Sequence, residues 1–198
     1  MANLLSRFIS SIFGTSGAKQ HVGGKAGKAK ASSPTKAAWP GNLQFLFIEP
    51  SDRDIAQALD GWKWIGLDGL EPAAASAFGD IFFRAADGSV KFLDMIEGRL
   101  TQVSSTWAEF TAQLNDPDRQ DNLLLAGPVI AARKKGFVLG GGECYDFKRP
   151  PVLGGEMNVE QIEKTFFVVK VNIAGKIHRQ VKDLPHGTKI NKVTISDP

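Results

Sequence analysis

Apolar residues recur at helical spacing at the start of the chain, where Leu4, Leu5, Phe8, Ile9, Ile12 and Phe13 line one side and Arg7, Ser10 and Ser11 the other. From 14 to 38 that pattern vanishes. The stretch is almost entirely Gly, Ala, Ser, Thr and Lys, with no aromatic and almost no branched apolar side chain to offset the entropy of ordering the backbone. A short amphipathic helix followed by a disordered tether is therefore expected over 1–38.

The folded part is expected to begin near Trp39. The apolar run 43–48, bounded by Pro40-Gly41 and Pro50, reads as a buried strand or a helix fragment. Ser51-Asp52-Arg53-Asp54 supplies a helix start, Ile55 and Leu59 share a face, and Gly61 suits a C-terminal cap. Trp62, Trp64 and Ile65 follow as expected core. The clearest signal is Ile81 to Arg84 and Val90 to Leu93 flanking Ala86-Asp87-Gly88, because Asp-Gly between two β-prone runs favours a hairpin. A second turn at Glu97-Gly98 leads into a third strand over 99–103, completing an antiparallel meander.

Ser104 to Thr106 can cap a helix with Trp107, Phe110 and Leu114 on one side. Another helical stretch starts after Asp118 and stops at Gly136, with Pro128 predicting a kink or break. The segment 165–173 fits either a strand, from its β-branched and aromatic content, or a helix face through Phe167, Val171, Ala174, His178 and Val181. Residues 190–195 add a final strand or trail freely.

Length and composition narrow the function classes. With 198 residues and a 42% apolar fraction, the chain can bury the core of one ordinary domain, or of one domain with an appendage. We read 1–38 as the leader and 39–198 as a single α+β domain. One cysteine cannot form an intramolecular disulfide, so packing must hold the fold and a cytoplasmic location fits best. Three scattered histidines and one cysteine give no zinc-ligand spacing, and neither a metal nor an organic cofactor is expected.

The net charge of +3 conceals an asymmetry. Residues 1–38 hold six bases and no acid; removing those six from 24 leaves 18 against 21 acids, so 39–198 carries about −3. Three readings of the basic leader stand open. As a secretory signal it is interrupted by Arg7 and Ser10-Ser11. As a contact to a membrane surface or nucleic acid it offers an apolar helix face and a polybasic tether. As a plain terminus it docks weakly or not at all.

The window GGGECYDFKRPPVLGGE, 140–156, invites a chemical reading. A phosphate loop needs its glycines followed by Lys and Ser or Thr at the head of a helix; here Glu143 follows, and Pro150-Pro151 stops any helix. Cys144 is a candidate nucleophile only beside a base, for which His178 and His186 are the candidates besides His21 in the tether. The alternative is a packed connector: glycines around a Cys-Tyr-Asp-Phe strand, with Cys144 as a small buried side chain. Asp80, Asp87 and Asp94, spaced by seven, read as turn and surface residues.

Several blocks taken together carry a resemblance. Phe78-Gly79-Asp80-Ile81-Phe82-Phe83, Asp87-Gly88-Ser89-Val90, Phe92-Leu93-Asp94, Glu97-Gly98, the 107–114 helix, Cys144-Tyr145-Asp146-Phe147 and Pro151-Val152-Leu153-Gly154-Gly155-Glu156 resemble a bacterial family of immunity proteins that guard against type VI secretion DNase toxins. The likeness covers roughly 77–184. In relatives a GAD-like region often comes first; 39–76 is a shortened counterpart, and the lysine tether lies outside the pattern. The resemblance implies a helix after the Gly-Gly turn, placed at 164–183, with His178 a core or edge residue. It also implies a non-catalytic protein that neutralises a cognate nuclease toxin by covering it. The mildly acidic 39–198 suits a basic nuclease cleft, with Asp87, Glu97, Glu143 and Glu156 as candidate partner-binding residues.

Overall fold

The computed structural model describes residues 39, 42–185, 187–188, 190 and 192–195, so the expected leader lies outside the described residues. The architecture is α+β. Five antiparallel strands, β1 (Phe47–Ile48), β2 (Glu71–Ser76), β3 (Ile81–Arg84), β4 (Val90–Asp94) and β5 (Arg99–Ser104), lie side by side in chain order. The meander read from the Asp-Gly signal forms its centre, with Gly88 at φ +85°. Two strands come from outside that reading: β2 is proline- and alanine-rich and held by pairing with β3, while 43–48 divides into a 3₁₀ turn (Gln44–Leu46) and β1.

The β3 run Ile-Phe-Phe is continuous because both faces of this sheet are buried. Phe82, Val90 and Phe92 point to one side, meeting Phe110 and Leu114 at the helix α2 (Trp107–Gln113), Leu124 of α3 (Pro117–Leu124) and Val129 of α4 (Ala126–Lys134). Ile81, Phe83 and Leu93 point to the other, against Ala58 of α1 (Asp52–Leu59), Trp62, and Phe167 and Val171 of α5 (Phe167–Val181). A second sheet, β6 (Glu143–Phe147) with β7 (Ile162–Phe166), joins the first where the Tyr145 N–H donates to Ala77 O at 2.8 Å.

Helix starts follow their caps. Ser51 and Asp54 form a reciprocal capping box on α1, and Thr106 accepts from the Glu109 N–H on α2. The expected 118–136 helix begins earlier, with Asp116 as cap and Pro117 in the first turn. Its break is at Leu125, φ +51°, and not at Pro128, which lies in the first turn of α4 where a missing N–H removes no helical bond.

Three further expectations are corrected. The helix placed at 164–183 is a strand up to Phe166 and a helix from Phe167 to Val181; β6 supplies a partner for the β-prone half that local periodicity could not reveal. Gly61 is no cap. It is buried where a Cβ would meet Asn172 O at 2.2 Å, and the turn ends instead at Gly66, φ +86°. Of the expected core trio only Trp62 is fully buried, with Trp64 and Ile65 half-buried. No strand forms among the described residues of 190–195.

Gly61 and Gly175 let the 3₁₀ segment Asp60–Ile65 rest directly on α5, since a Cβ on Gly175 would lie 2.5 Å from the Gly61 backbone. The Trp62 indole N–H donates to Val171 O at 2.7 Å and that of Trp64 to Gly175 O at 3.1 Å. Backbone faces backbone there, so the clash cannot be relieved by a rotamer change. Gly175→Ala should destabilise the fold by about 2 kcal/mol or more despite better helix propensity, as measured by urea denaturation.

Candidate functional site

The β2–β3 turn carries the polar centre of the molecule. Asp80, read from the sequence as a turn and surface residue, is 4% exposed. Its Oδ2 accepts from the Ser76 hydroxyl at 2.6 Å and its Oδ1 from the Met95 N–H at 2.9 Å, while Ser76 Oγ accepts the Phe78 and Asp80 N–H groups. Gly79, at φ +84°, completes the turn against Val171 of α5. From that helix Lys170 reaches in, donating to Phe78 O at 2.6 Å and Tyr145 O at 2.8 Å, with Asp146 Oδ1 at 3.3 Å. Burial pushes the Asp80 carboxyl up to about 6, aided by the Asp94 charge and opposed by Lys170 and the hydrogen bonds.

Two depressions flank the β4–β5 turn. One, of about 140 Å³, is walled by Val152, Val169, Ile173 and Ile177, with Lys170 and His178 at its base. The other, of about 120 Å³, is lined by Asp80, Asp94, Glu97, Arg99 and Asn122 with Met157. Asp94 Oδ1 accepts the Ile96 and Glu97 N–H groups and so shapes the ridge between them.

The four predicted contact residues do not form one patch. Asp87 is exposed in the β3–β4 turn, accepting the Ser89 N–H at 2.9 Å, whereas Glu97 is exposed in the β4–β5 turn, at the other end of β4 and 3.4 Å from Arg99. Glu156 is exposed, hydrogen-bonded to Asn158, and immediately precedes Met157 at the second depression. Glu143 is half-buried: it pairs with Lys164 at 2.8 Å and accepts the Gly140 N–H at 2.7 Å, and these two interactions hold its carboxyl below the usual range. That second bond places a carboxylate of the loop itself on an amide of the glycine turn, where a phosphate loop would hold its anion.

Cys144 is buried in β6, and burial pushes its thiol up to about 12, away from the thiolate a nucleophile needs. No hydrogen bond joins it to His178. That imidazole is buried between Trp62 and Gly98, where a Cβ would meet its Nδ1 at 2.2 Å, and its Nε2 lies 3.0 Å from Met95 O. Burial lowers its basicity. His186 lies outside the described residues. The packed-connector reading fits Gly155, whose Cβ would lie 1.9 Å from Arg149 O. Among the described residues no group of three His, Cys, Asp or Glu is arranged to hold a metal ion, and no helix is long and apolar enough to cross a membrane.

Lys170 went unremarked in the sequence, and Asp94 is read there only as a turn and surface residue. Lys170 had a signal, since it shares the apolar face of Phe167, Val171 and Ala174; a charge on a core-facing stripe marks a buried partner. For Asp80, whose ordinary pKa is 3.8, the stabilising contribution of the raised carboxyl is present below that value and lost as pH rises through about 6. His178, lowered by burial, acts oppositely and loses stability on acidification. Asp80→Asn, which removes an acceptor from Ser76, should destabilise by about 1–3 kcal/mol, and urea denaturation should show a larger loss at pH 5 than at pH 7.5. The native thiol of Cys144 should react with a maleimide far more slowly than the urea-unfolded thiol.

Residues 104–178, from the end of β5 to the last turns of α5, match the family model described as T6SS immunity protein Tdi1, C-terminal. No curated protein matches the chain. Among solved structures, the crystal structure of Atu4351 from Agrobacterium tumefaciens aligns at 21% identity and a TM-score of 0.42, covering 66% of this chain. The present chain spans 65% of that protein's length. The match across 104–178 supports a type VI secretion immunity family for this chain.

Proposed function

We propose that the chain is a non-catalytic immunity protein that binds and neutralises a cognate secreted nuclease toxin in the cytoplasm. The observation that carries this reading is the family match over 104–178, which takes in α2, α3, α4, β6, β7 and most of α5. The side chains with chemical potential are consistent with it: Cys144 is driven toward the thiol, and His178, Lys170 and Asp80 are engaged in bonds that hold the fold.

A nuclease must attract phosphate and so presents basic groups. On this chain the depression between Asp94, Glu97 and Met157, with Glu156 beside it, offers carboxylates to such groups. Glu97 and Glu156 are the proposed principal contacts. Asp87, at the far end of β4, and Glu143, tied to Lys164, are subsidiary ones. Exposed acids of this kind set the association rate, while buried apolar anchors hold the complex.

Co-expression with the toxin encoded beside this gene should rescue growth, and the two proteins should co-purify. Persistent killing without co-purification would overturn the reading. In surface-based binding kinetics, Glu97→Lys combined with Glu156→Lys should slow association about tenfold at low salt, with a smaller effect for Asp87→Lys.

A further inference from the structure

Three elements distant in sequence wall the depression of about 140 Å³ beside the β4–β5 turn. Val169, Ile173 and Ile177 follow one another at i, i+4 and i+8 along α5 and so present one apolar stripe. Pro150, Pro151 and Val152, in the turn after β6, supply a second wall, and Met95 with Ile96 a third. Val169 is 49% exposed, while Ile173 and Val152 are half-buried. Bare apolar surface is thus arranged as a hollow.

The ionisable groups in its lining are already engaged. Lys170 donates to two carbonyls and pairs with Asp146, Asp146 Oδ1 also accepts the Phe147 N–H at 2.8 Å, and His178 Nε2 lies against Met95 O. A charged guest would lose its hydration to meet an ion pair that is already closed, so the hollow favours an apolar one. Its walls are also fixed before any guest arrives. The Leu153 and Gly154 N–H groups return to Pro150 O and Pro151 O at 2.9 Å, the Gly155 backbone passes against Arg149 O, and Met95 is gripped through its N–H by Asp80 and through its C=O by His178. A preformed hollow keeps the entropic cost of binding low.

Size and charge select the occupant. Pockets for small-molecule ligands run to about 300 Å³ or more, whereas this volume is close to the roughly 150 Å³ of an apolar cavity that takes up one benzene ring. A single side chain fits. Across the ridge lies the acidic depression, and Ile96 lines both hollows, so a protein seated in one covers the other. The acidic side sets Asp80, Asp94 and Glu97 against one cation of its lining, Arg99, which is 3.4 Å from Glu97; Lys170, the cation of the apolar side, is buried and paired with Asp146. Two copies of this chain meeting symmetrically through this face would bring two acidic surfaces together, which disfavours self-pairing. A partner that carries a basic residue beside an apolar one satisfies both hollows.

We propose that the hollow between α5 and the Pro150–Val152 turn is the anchor socket for the toxin. It receives one apolar side chain of about phenyl size, next to a basic residue that lies over Asp94 and Glu97 beyond the Ile96 ridge. This rests on the reading of the chain as a toxin-binding immunity protein, and it goes further by placing the apolar anchor and giving the chemistry of the segment recognised. A central anchor of this kind carries much of the binding energy and acts on dissociation, whereas the acidic rim acts on association.

The test uses the full chain and the adjacent-gene toxin, inactivated by substitution, in surface-based binding kinetics. Val169→Gln combined with Val152→Gln should speed dissociation about tenfold and leave association within about twofold. Val152→Trp, which fills the hollow, should weaken binding at least as much. Val138→Gln removes a comparably bare side chain, 59% exposed, on the Lys164 side of β7, opposite Thr165 of the socket, and should change neither rate. Thermal melts verify that each variant is folded, and in the unaltered chain the methyl resonances of Ile173 and Ile177 should shift when the toxin binds. Wild-type dissociation from both socket variants, or unshifted methyl signals in a complex, overturns this inference and leaves toxin binding standing. No complex at all removes both. Self-association of the chain alone that the Val169→Gln and Val152→Gln pair abolishes identifies a second copy as the occupant, and also overturns it.

Discussion

An ammonium taken out of water needs oxygen partners in return, and Lys170 has three: the carbonyls of Phe78 and Tyr145 and the carboxylate of Asp146. They come from two different parts of the molecule. Phe78 lies in the turn between β2 and β3, Tyr145 and Asp146 in the small sheet, and the lysine itself on α5. One charge thereby fixes the relative position of both sheets and the helix beneath them. Removing it would leave a partly buried carboxylate and two carbonyls without their donor, a larger loss than a typical surface pair represents. The turn it grips is the one that folds Asp80 inward, so the same clamp sets the floor of the acidic depression.

The central sheet was readable because its information is local. Asp87-Gly88 and Glu97-Gly98 sit between runs of the right period and residue type, and the caps at Ser51 and Thr106 announce their helices within four residues. What escaped was non-local. β7 continues into α5 without a break in composition, and only the pairing of Lys164 with Tyr145 and of Phe166 with Glu143 separates strand from helix. Gly61 looked like a cap because glycine serves both caps and close approaches; the deciding neighbour, Asn172, is more than a hundred residues away. Asp80 looked exposed for the same reason, since the Met95 N–H that it accepts comes from beyond β4.

The candidate site divides similarly. Glu97 and Glu156 could be chosen as exposed acids in turns, but the depression that Glu97 lines, and that Met157 beside Glu156 reaches, depends on Asn122 and Met157 converging from separate segments. Glu143 was chosen by the same criterion and is instead committed to Lys164 and the Gly140 amide. The glycine window, suggestive as a string, supplies its own anion. Its oddness reflects tight backbone passage at Gly155 and the start of a buried strand at Cys144.

The central sheet is covered on both sides by helices and aromatic side chains, so it offers a partner no broad flat surface. Recognition is left to turns, rims and strand edges, where substitutions usually shift stability by only about 0.5 kcal/mol or less. A lineage built on this scaffold can therefore change which opponent it meets while its interior stays constant, and divergence between sister genes should concentrate in those borders.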